Sequence, residues 1–527
     1  MSHTVTPYRD RDPPLKIIHT ATTNPADLSP FDREMVYNGL DCCVTRDVFD
    51  STITQLNPAT AATYAFSKAL QGPVLEMRCR GVLVDAARKN EVIDNFHDQI
   101  DTLERQLERI LFEGVGLESF NWRSHRDLAW LFYDVFAIPA IHYQGRPTCN
   151  RAAREKIALY PIAKLIIDYI NTLTELGDKI SVLKTAIDPD GRFRTSYNIA
   201  GTSTGRFSSS TSEFGTGGNL QNIEESLRSI FIADPGYKFA KCDAKSGESY
   251  CVGAIEWNLF GDGAYLDAVE SGDVHTAVAR ICWPNLGWTG NLADDKAIAE
   301  TPFYRHYTHR FMCKKLGHGS NYGGQPATLA TQTQLPIRVV KEFQPTYFAA
   351  FPAHQRWQDW VKEQLHQTGK LISLTGRQRY FFGRRNDPAT LREAIAFDPQ
   401  CSLADIVNTA MLRIWRDRSA IVVMHDHDAL TFMYPEHLED TIIPQITEKL
   451  TIPISLANGR TLRIPYDVET GWNKGHWCCG ERKPECKGCK REKNLDGLKT
   501  YKEHDKRKRS PTLGVLDRVV YSTNRKS

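Results

Sequence analysis

The stretch from Ser419 to Pro435, SAIVVMHDHDALTFMYP, leaves the chain few ways to fold. Apolar and β-branched residues on both sides read as the two arms of a strand hairpin. Between the arms stand four ionisable residues in a row, His425, Asp426, His427 and Asp428. A carboxylate buried without a partner is costly, so these side chains either sit in a solvated turn or converge on a cation. A second segment offers a partner. SIFIADPGYKFAKCDAKSGESYCVGAIEW reads as strand, turn, strand and helix, with the turn at Pro235-Gly236. Asp243 then follows a strand just as Asp426 does. Two carboxylates meeting at the edge of a sheet repel unless a divalent metal neutralises them, and two magnesium ions bridged by two Asp suit in-line phosphoryl transfer. Spacing alone leaves the solvated turn open.

A third segment, RFMCKKLGHGSNYGG, spaces Arg310, Lys314, His318 and Tyr322 four residues apart. In an α-helix each such step turns the side chain by about 40°, so the four form one slowly winding stripe. Two cations followed by two rings suit a triphosphate followed by a base; a solvated basic face is the alternative. Gly317, Gly319, Gly323 and Gly324 let a ligand or backbone come close. Elsewhere, FHDQIDTLERQLERILFEG has the apolar spacing of a packed structural helix. Gly201 to Asn222 reads as an exposed loop containing Arg206.

At 527 residues and 41% hydrophobic, the chain can bury several cores. Its net charge of +3 says less than the distribution of that charge. From residue 474 onward there are 16 Lys and Arg against 7 Asp and Glu, a net +9 that leaves −6 for the rest. Such an end reads as an arm for nucleic acid or a partner. No stretch approaches the roughly 20 apolar residues of a membrane span, and the first residues have no apolar signal core. The 13 Cys are odd in number and mostly scattered, which suits reduced thiols. A soluble protein without a membrane partner is expected, cytoplasmic, or in the host cytoplasm if viral.

Taken in order, GPVLEMRCRGVLVD, FNWRSHRDLAWLF, TGRFSS, NLQNI, DAKSGE, DVHT, RFMCKKLGHGSNYG, TGRQRY, QCSLADIVNTAM and HDH resemble the polymerase region of family A DNA polymerases, the DNA polymerase I family. The resemblance runs from about Pro73 to Trp477 and is to a phage-like form lacking a complete 3′–5′ exonuclease domain. It implies an α+β right hand with an antiparallel-sheet palm, helical fingers and thumb, and a basic, Cys-containing C-terminal tail. The implied division is an N-terminal segment with an exonuclease-domain remnant (1–62), thumb (63–185), palm (186–262 and 390–473), fingers (263–389) and tail (474–527). The implied function is DNA-templated addition of deoxynucleoside triphosphates to a primer 3′-hydroxyl. Asp243, Asp426 and the Ala244 carbonyl would hold two magnesium ions. Arg310, Lys314 and His275 would contact the triphosphate, with Lys314 protonating the departing pyrophosphate. His318 stands at a nucleotide-binding position, Tyr322 and Glu248 line the sugar pocket, Arg206 and Gln400 read the minor groove, and His425 contacts the primer terminus.

The sequence departs from the family at His318, at His427 in place of a Glu, in the longer segment between TGRFSS and NLQN, and at Ser246-Gly247 ahead of Glu248. Near the N-terminus, Tyr37 and Asp41 resemble the last exonuclease motif, with only about 60 residues ahead of the thumb. This suits either a remnant helix or a split enzyme completed by a separate exonuclease or replisome protein. In the tail, Cys478, Cys479, Cys486 and Cys489 have spacing that can hold zinc, with His476 a fourth ligand. A single-subunit RNA polymerase and a catalytically silent, DNA-binding replisome scaffold are the alternatives. Glu248 and the TGR and NLQN segments weigh against the first, and the carboxylate pair against the second.

Overall fold

The computed structural model describes residues 18, 22–476 and 494–501. The chain divides into two compact units, residues 1–69 with 376–378 and residues 70–375 with 379–527. The division falls inside the helix Pro58–Arg80, seven residues beyond the boundary expected from the sequence. In the first unit, helix α1 (Pro30–Ile53) starts at Ser29, whose hydroxyl accepts from the Asp32 N–H, and has Pro30 in its first turn. It buries no residue. Tyr37 and Asp41 lie one turn apart on it, both exposed.

The second unit is built on a five-stranded antiparallel sheet. Its strands are β1 (Tyr237–Ala244), β2 (Ile421–Asp426), β3 (Ala429–Pro435), β4 (Tyr466–Gly471) and β5 (Lys499–Thr500), in the order β2-β3-β1-β4-β5. β2 and β3 are the anticipated hairpin, and Gly236 in the turn before β1 has φ +83°. One face packs Phe239, Met424 and Met433 against Leu227, Ile230, Phe231 and Leu498. A further core holds α2 (Ala86–Val115) against α3 (Pro161–Leu183). α2 buries Val92, Ile100, Leu107 and Leu111, the spacing its sequence announces.

Helix α4 (Gly247–Phe260) follows β1 directly, and the long helix α8 spans Pro388–Arg416. Gly247 explains one departure in the sequence. A Cβ there would stand 2.5 Å from Leu403 Cδ1, so glycine lets the start of α4 lie on α8 without moving that leucine side chain. The other elements that matter are α5 (Val274–Cys282), α6 (Ile337–Ala350) and α7 (Pro352–Gln367). Between α5 and α6 runs a helical rod composed of an α turn His309–Met312, a π segment Cys313–Gly317 and an α turn His318–Asn321.

The C-terminal segment is not wholly an appendage. β5 pairs with β4 through Thr500↔Glu469 and Lys499↔Thr470, and Leu498 is 3% exposed. Lys474, expected to begin the tail, is 4% exposed. The boundary after residue 473 therefore cuts through packed structure, and charge counting missed this because net charge carries no information on strand pairing or on the burial of Leu498. Among the described residues, no helix is long and apolar enough to cross a membrane.

Candidate active site

At the end of the sheet lies an open cleft of about 870 Å³, lined by Asp243, Ala244, Glu248, Asp428 and Asp467 of the sheet side and by Asp273, His275, Arg310, Lys314 and His318 of the helices after α4. Asp243 is the penultimate residue of β1 and its side chain is half exposed. Burial of its inner side raises the carboxyl above its ordinary range; Lys241, 3.7 Å away, opposes this, and the charges of Asp428, Glu469 and Asp467 add to the rise.

Asp428 sits in the hairpin turn. His427 before it adopts a left-handed φ of +58°, and the Asp428 carbonyl accepts from the Ala244 N–H at 3.1 Å. Its carboxylate accepts from the Arg206 guanidinium at 3.0 and 3.3 Å, and the same nitrogen reaches Glu248 at 2.5 Å. The Tyr322 hydroxyl donates to the other Glu248 oxygen at 2.5 Å. Asp428, Arg206, Glu248 and Tyr322 thus form one polar chain, of which Asp428 and Glu248 line the cleft. Burial raises Asp428, with Arg206 opposing and Glu248 reinforcing.

This geometry corrects the position assigned to Asp426. The register runs Asp426↔Ala429, Ala429↔Asp243 and Asp243↔Asp467, one row across four strands. Asp426 therefore shares a face with Asp243 but stands two strands away, roughly 10 Å, with Ala429 between. A shared magnesium needs carboxylates several ångströms closer. The Asp426 side chain is paired instead with the Lys474 ammonium. It is Asp428 that lines the cleft with Asp243. A shift of two residues keeps a strand's alternation intact, so the sequence pattern did not distinguish the first His-Asp pair from the second.

His425 is corrected for the same reason. It is fully buried, stacked on Phe207 at 4.4 Å, with Nε2 2.9 Å from the Asn408 side-chain oxygen. It has no face for a primer, whereas His427 is exposed at the tip. Burial lowers His425 to about 4 and, with help from Arg310, lowers His275 to about 4 as well. Below its ordinary pKa of about 6.5, each unfolded imidazole takes up a proton that the folded one refuses until about pH 4. Stability is then full above pH 6.5 and falls as pH drops towards 4, by up to ~3 kcal/mol for the buried His425. Thermal melts across this window are expected to show a shallower decline for His425→Gln than for the parent; parallel slopes contradict the assignment.

The rod places Arg310, Lys314 and His318 along the cleft, although the π segment between them departs from the uniform winding expected of the stripe. Arg310 is braced by Asp273 at 3.1 and 3.4 Å and by Glu300 at 3.5 Å. Lys314 and His318 are exposed, and the His318 ring lies edge-on to Tyr322 at 5.1 Å. Burial and then the Glu248 charge push the Tyr322 hydroxyl well up. Gln400 lies half-buried on α8. The sequence reading did not single out Asp273, Asp467 or Lys241. Asp273 had a signal in DVHT, where it caps α5 through the His275 and Thr276 N–H groups. Asp467 had none, because only strand pairing sets it beside Asp243.

Cys478, Cys479, Cys486 and Cys489 lie outside the described residues. His476 lies within them, and its Nε2 is already 2.5 Å from Glu225.

The DNA polymerase family A model matches residues 88–478. Among curated proteins, DNA polymerase I, thermostable, of Thermus thermophilus is 25% identical over 425 residues, covering 77% of this chain and 46% of that protein. DNA polymerase I of Pseudomonas aeruginosa is 26% identical over 431 residues, covering 77% of this chain and 43% of that protein. The chain spans about half the length of the curated relatives it matches. A solved structure, the POL domain of Pol1 from M. smegmatis in complex with DNA primer-template and dNTP, superposes with a TM-score of 0.61 at 21% identity, covering 77% of this chain and 69% of that one. That likeness extends the right-hand fold to the sheet, rod and helices described above. With its motifs, its fold and three-quarters of its length matched, the chain belongs to DNA polymerase family A.

Proposed function

We propose that the chain is a DNA-templated DNA polymerase, adding deoxynucleoside triphosphates to the 3′-hydroxyl of a primer on its template. The observation that carries this reading is that Asp243, Asp428 and Glu248 line one cleft together with Arg310 and Lys314, with the Tyr322 hydroxyl bonded to Glu248.

The donor set fits magnesium, because it consists of hard oxygens: the Asp243 and Asp428 carboxylates and the Ala244 carbonyl. Among the described residues, no three His, Cys, Asp or Glu side chains form a closed metal cage. Magnesium sites of this type take only one or two carboxylates and leave the remaining positions to water and substrate phosphates. When bound, two ions supply charge neutralisation and a lowered pKa for the attacking hydroxyl. The side chains do the rest. Arg310, braced by Asp273, and Lys314 bind the triphosphate, and Lys314 gives its proton to the leaving pyrophosphate. His275, neutral at pH 7, offers the phosphates a hydrogen bond without a charge. Arg206 exchanges Asp428 and Glu248 for minor-groove acceptors and acts there with Gln400, testing pair geometry rather than sequence. His427, exposed at the hairpin tip, takes the place at the primer terminus that the family resemblance implies for His425. The same proposal includes a zinc on Cys478 or Cys479, Cys486 and Cys489, supported by their spacing, and a separate exonuclease or replisome partner, supported by Tyr37 and Asp41.

Primer extension with magnesium tests the reading. Template-directed extension with deoxynucleotides, abolished by chelation, is the expected result. Duplex binding without extension would leave a scaffold, and preference for ribonucleotides would leave an RNA polymerase.

Glu248 holds both Tyr322 and Arg206, so its loss opens the sugar pocket on two sides. Glu248→Ala is expected to raise ribonucleotide incorporation about tenfold or more in a competition assay. Tyr322→Phe, which keeps the Glu248 carboxylate itself, should change it less. Unchanged discrimination in Glu248→Ala removes Glu248 from the sugar pocket.

A further inference from the structure

The polymerase reading uses the second His-Asp pair of the hairpin and leaves the first unexplained. Asp426 is nearly buried, and its Oδ2 meets the ammonium of Lys474, whose side chain is 3% exposed. Met424, two residues earlier and on the same strand face, places its sulfur 3.0 Å from that ammonium. The Lys474 backbone is fixed as well, its N–H donating to the Phe231 carbonyl at 2.9 Å. On the opposite face of β2, His425 is held by Asn408 and Phe207, and its N–H donates to the Tyr197 hydroxyl at 3.2 Å. The last two residues of β2 are thus gripped on both faces, and only His427 separates them from Asp428.

We propose that Asp426 and Lys474 are positioning residues: a buried charge pair that holds the end of β2 so that the turn presents Asp428 to the cleft, with Asp426 acting through Lys474 rather than on substrate. The inference rests on the polymerase reading of Asp428. Removing one partner leaves a charge that must draw in water or seek another partner, and either response moves the strand end. Removing both leaves neutral groups of similar size, which such sites commonly accept. This asymmetry separates a positioning pair from a metal ligand, whose loss no second change restores.

The test compares the parent with Asp426→Asn, Lys474→Met, the double variant, and Asp428→Asn with and without Lys474→Met. The readouts are thermal unfolding, Mn²⁺ binding by calorimetry without DNA or nucleotide, and kcat and KM for primer–template. Each single variant is expected to lower kcat about 10- to 100-fold with KM for primer–template unchanged, as small displacements of a reacting group do. Both should weaken Mn²⁺ binding. The double variant should return to within about fivefold of the parent on both readouts, and Asp428→Asn should gain nothing from Lys474→Met. Folded single variants with parental kcat overturn the proposal, as does an Asp426→Asn defect that Lys474→Met leaves untouched. If the single variants do not fold, the double decides: folded and active supports the pair, folded and inactive overturns it. A parent that never extends a primer would sink the polymerase reading, while Mn²⁺ binding across the series would still report on the pair.

Discussion

Asp428→Asn is expected to lower kcat for the proposed primer extension by at least ~1,000-fold, about 4 kcal/mol of barrier, and Asp243→Asn is expected to do the same. Primer–template affinity stays within about threefold of the parent in both, because removing a carboxylate from a DNA-facing cleft costs no phosphate contact. The prediction is specific to Asp428 and Asp243. They line the cleft beside one another, each is pushed up by burial, and the charge of Asp428 adds to the rise at Asp243. Such a pair is poised for a cation. Arg206 already supplies one to Asp428, so Arg206→Gln should lower thermal stability modestly as well as weaken primer–template binding. Quench-flow turnover at saturating duplex measures the first effect and a filter-binding titration the second. Extension by Asp428→Asn at more than a tenth of the parental rate would mean that the hairpin tip does not touch the reaction.

Much of the fold was legible because its signals are periodic. The α2 helix announced itself in the spacing of Ile100, Leu107 and Leu111, and the β2–β3 hairpin in two apolar arms around a polar quartet. The cation stripe was legible because Arg310, Lys314 and His318 lie on one continuous rod, and their recurrence survives even a π segment. What remained hidden depends on pairing between distant segments. Alternation fixed which face of β2 each residue takes but not where the hairpin turns. Asp426 and Asp428 were equivalent until Ala429 was seen to stand opposite Asp243. Asp467 became a neighbour of Asp243 only through the β1–β4 register. Lys474 reads as one more lysine in a basic tail, and its burial follows from a fixed carboxylate that the linear sequence does not locate. The Gly247 contact with Leu403 is of the same kind, a close approach of helices that shows only when both are in place.

That pairing also governs the C-terminal segment, where two deletions of similar composition should behave in opposite ways. Ending the chain after residue 476 removes Leu498 from the core and β5 from the sheet edge. It also removes the carbonyl of Asp496, which accepts from the Trp472 and Asn473 N–H groups at 2.8 and 3.1 Å, and the Leu498 N–H that donates to the Gly475 carbonyl at 2.6 Å. Loss of a buried leucine alone costs about 2–5 kcal/mol, a large part of the ~5–15 kcal/mol that holds a domain together. Packing at the join is tight: a Cβ on Gly497 would stand 2.6 Å from the Gly475 carbonyl oxygen. Truncation should therefore yield a chain that unfolds cooperatively at a much lower temperature or does not fold, and turnover should be lost with it. Excising only residues 478–492 should not. The flanks already meet, since the Asn494 side chain donates to the His476 carbonyl at 3.2 Å and to the Asn473 side-chain oxygen at 3.0 Å. A Gly/Ser linker of about four residues closes that gap at little entropic cost. The excised protein should melt within a few degrees of the parent and keep its kcat at saturating duplex. It should lose duplex affinity at low salt, because five fewer Lys and Arg are available to displace counterions. Melting curves and salt-dependent binding of the two deletions decide the matter. A truncated chain that folds and turns over normally would return the segment to the status of an appended arm. An excised chain that collapses would show that the cysteine-bearing stretch, with or without zinc, is itself part of what holds the sheet edge.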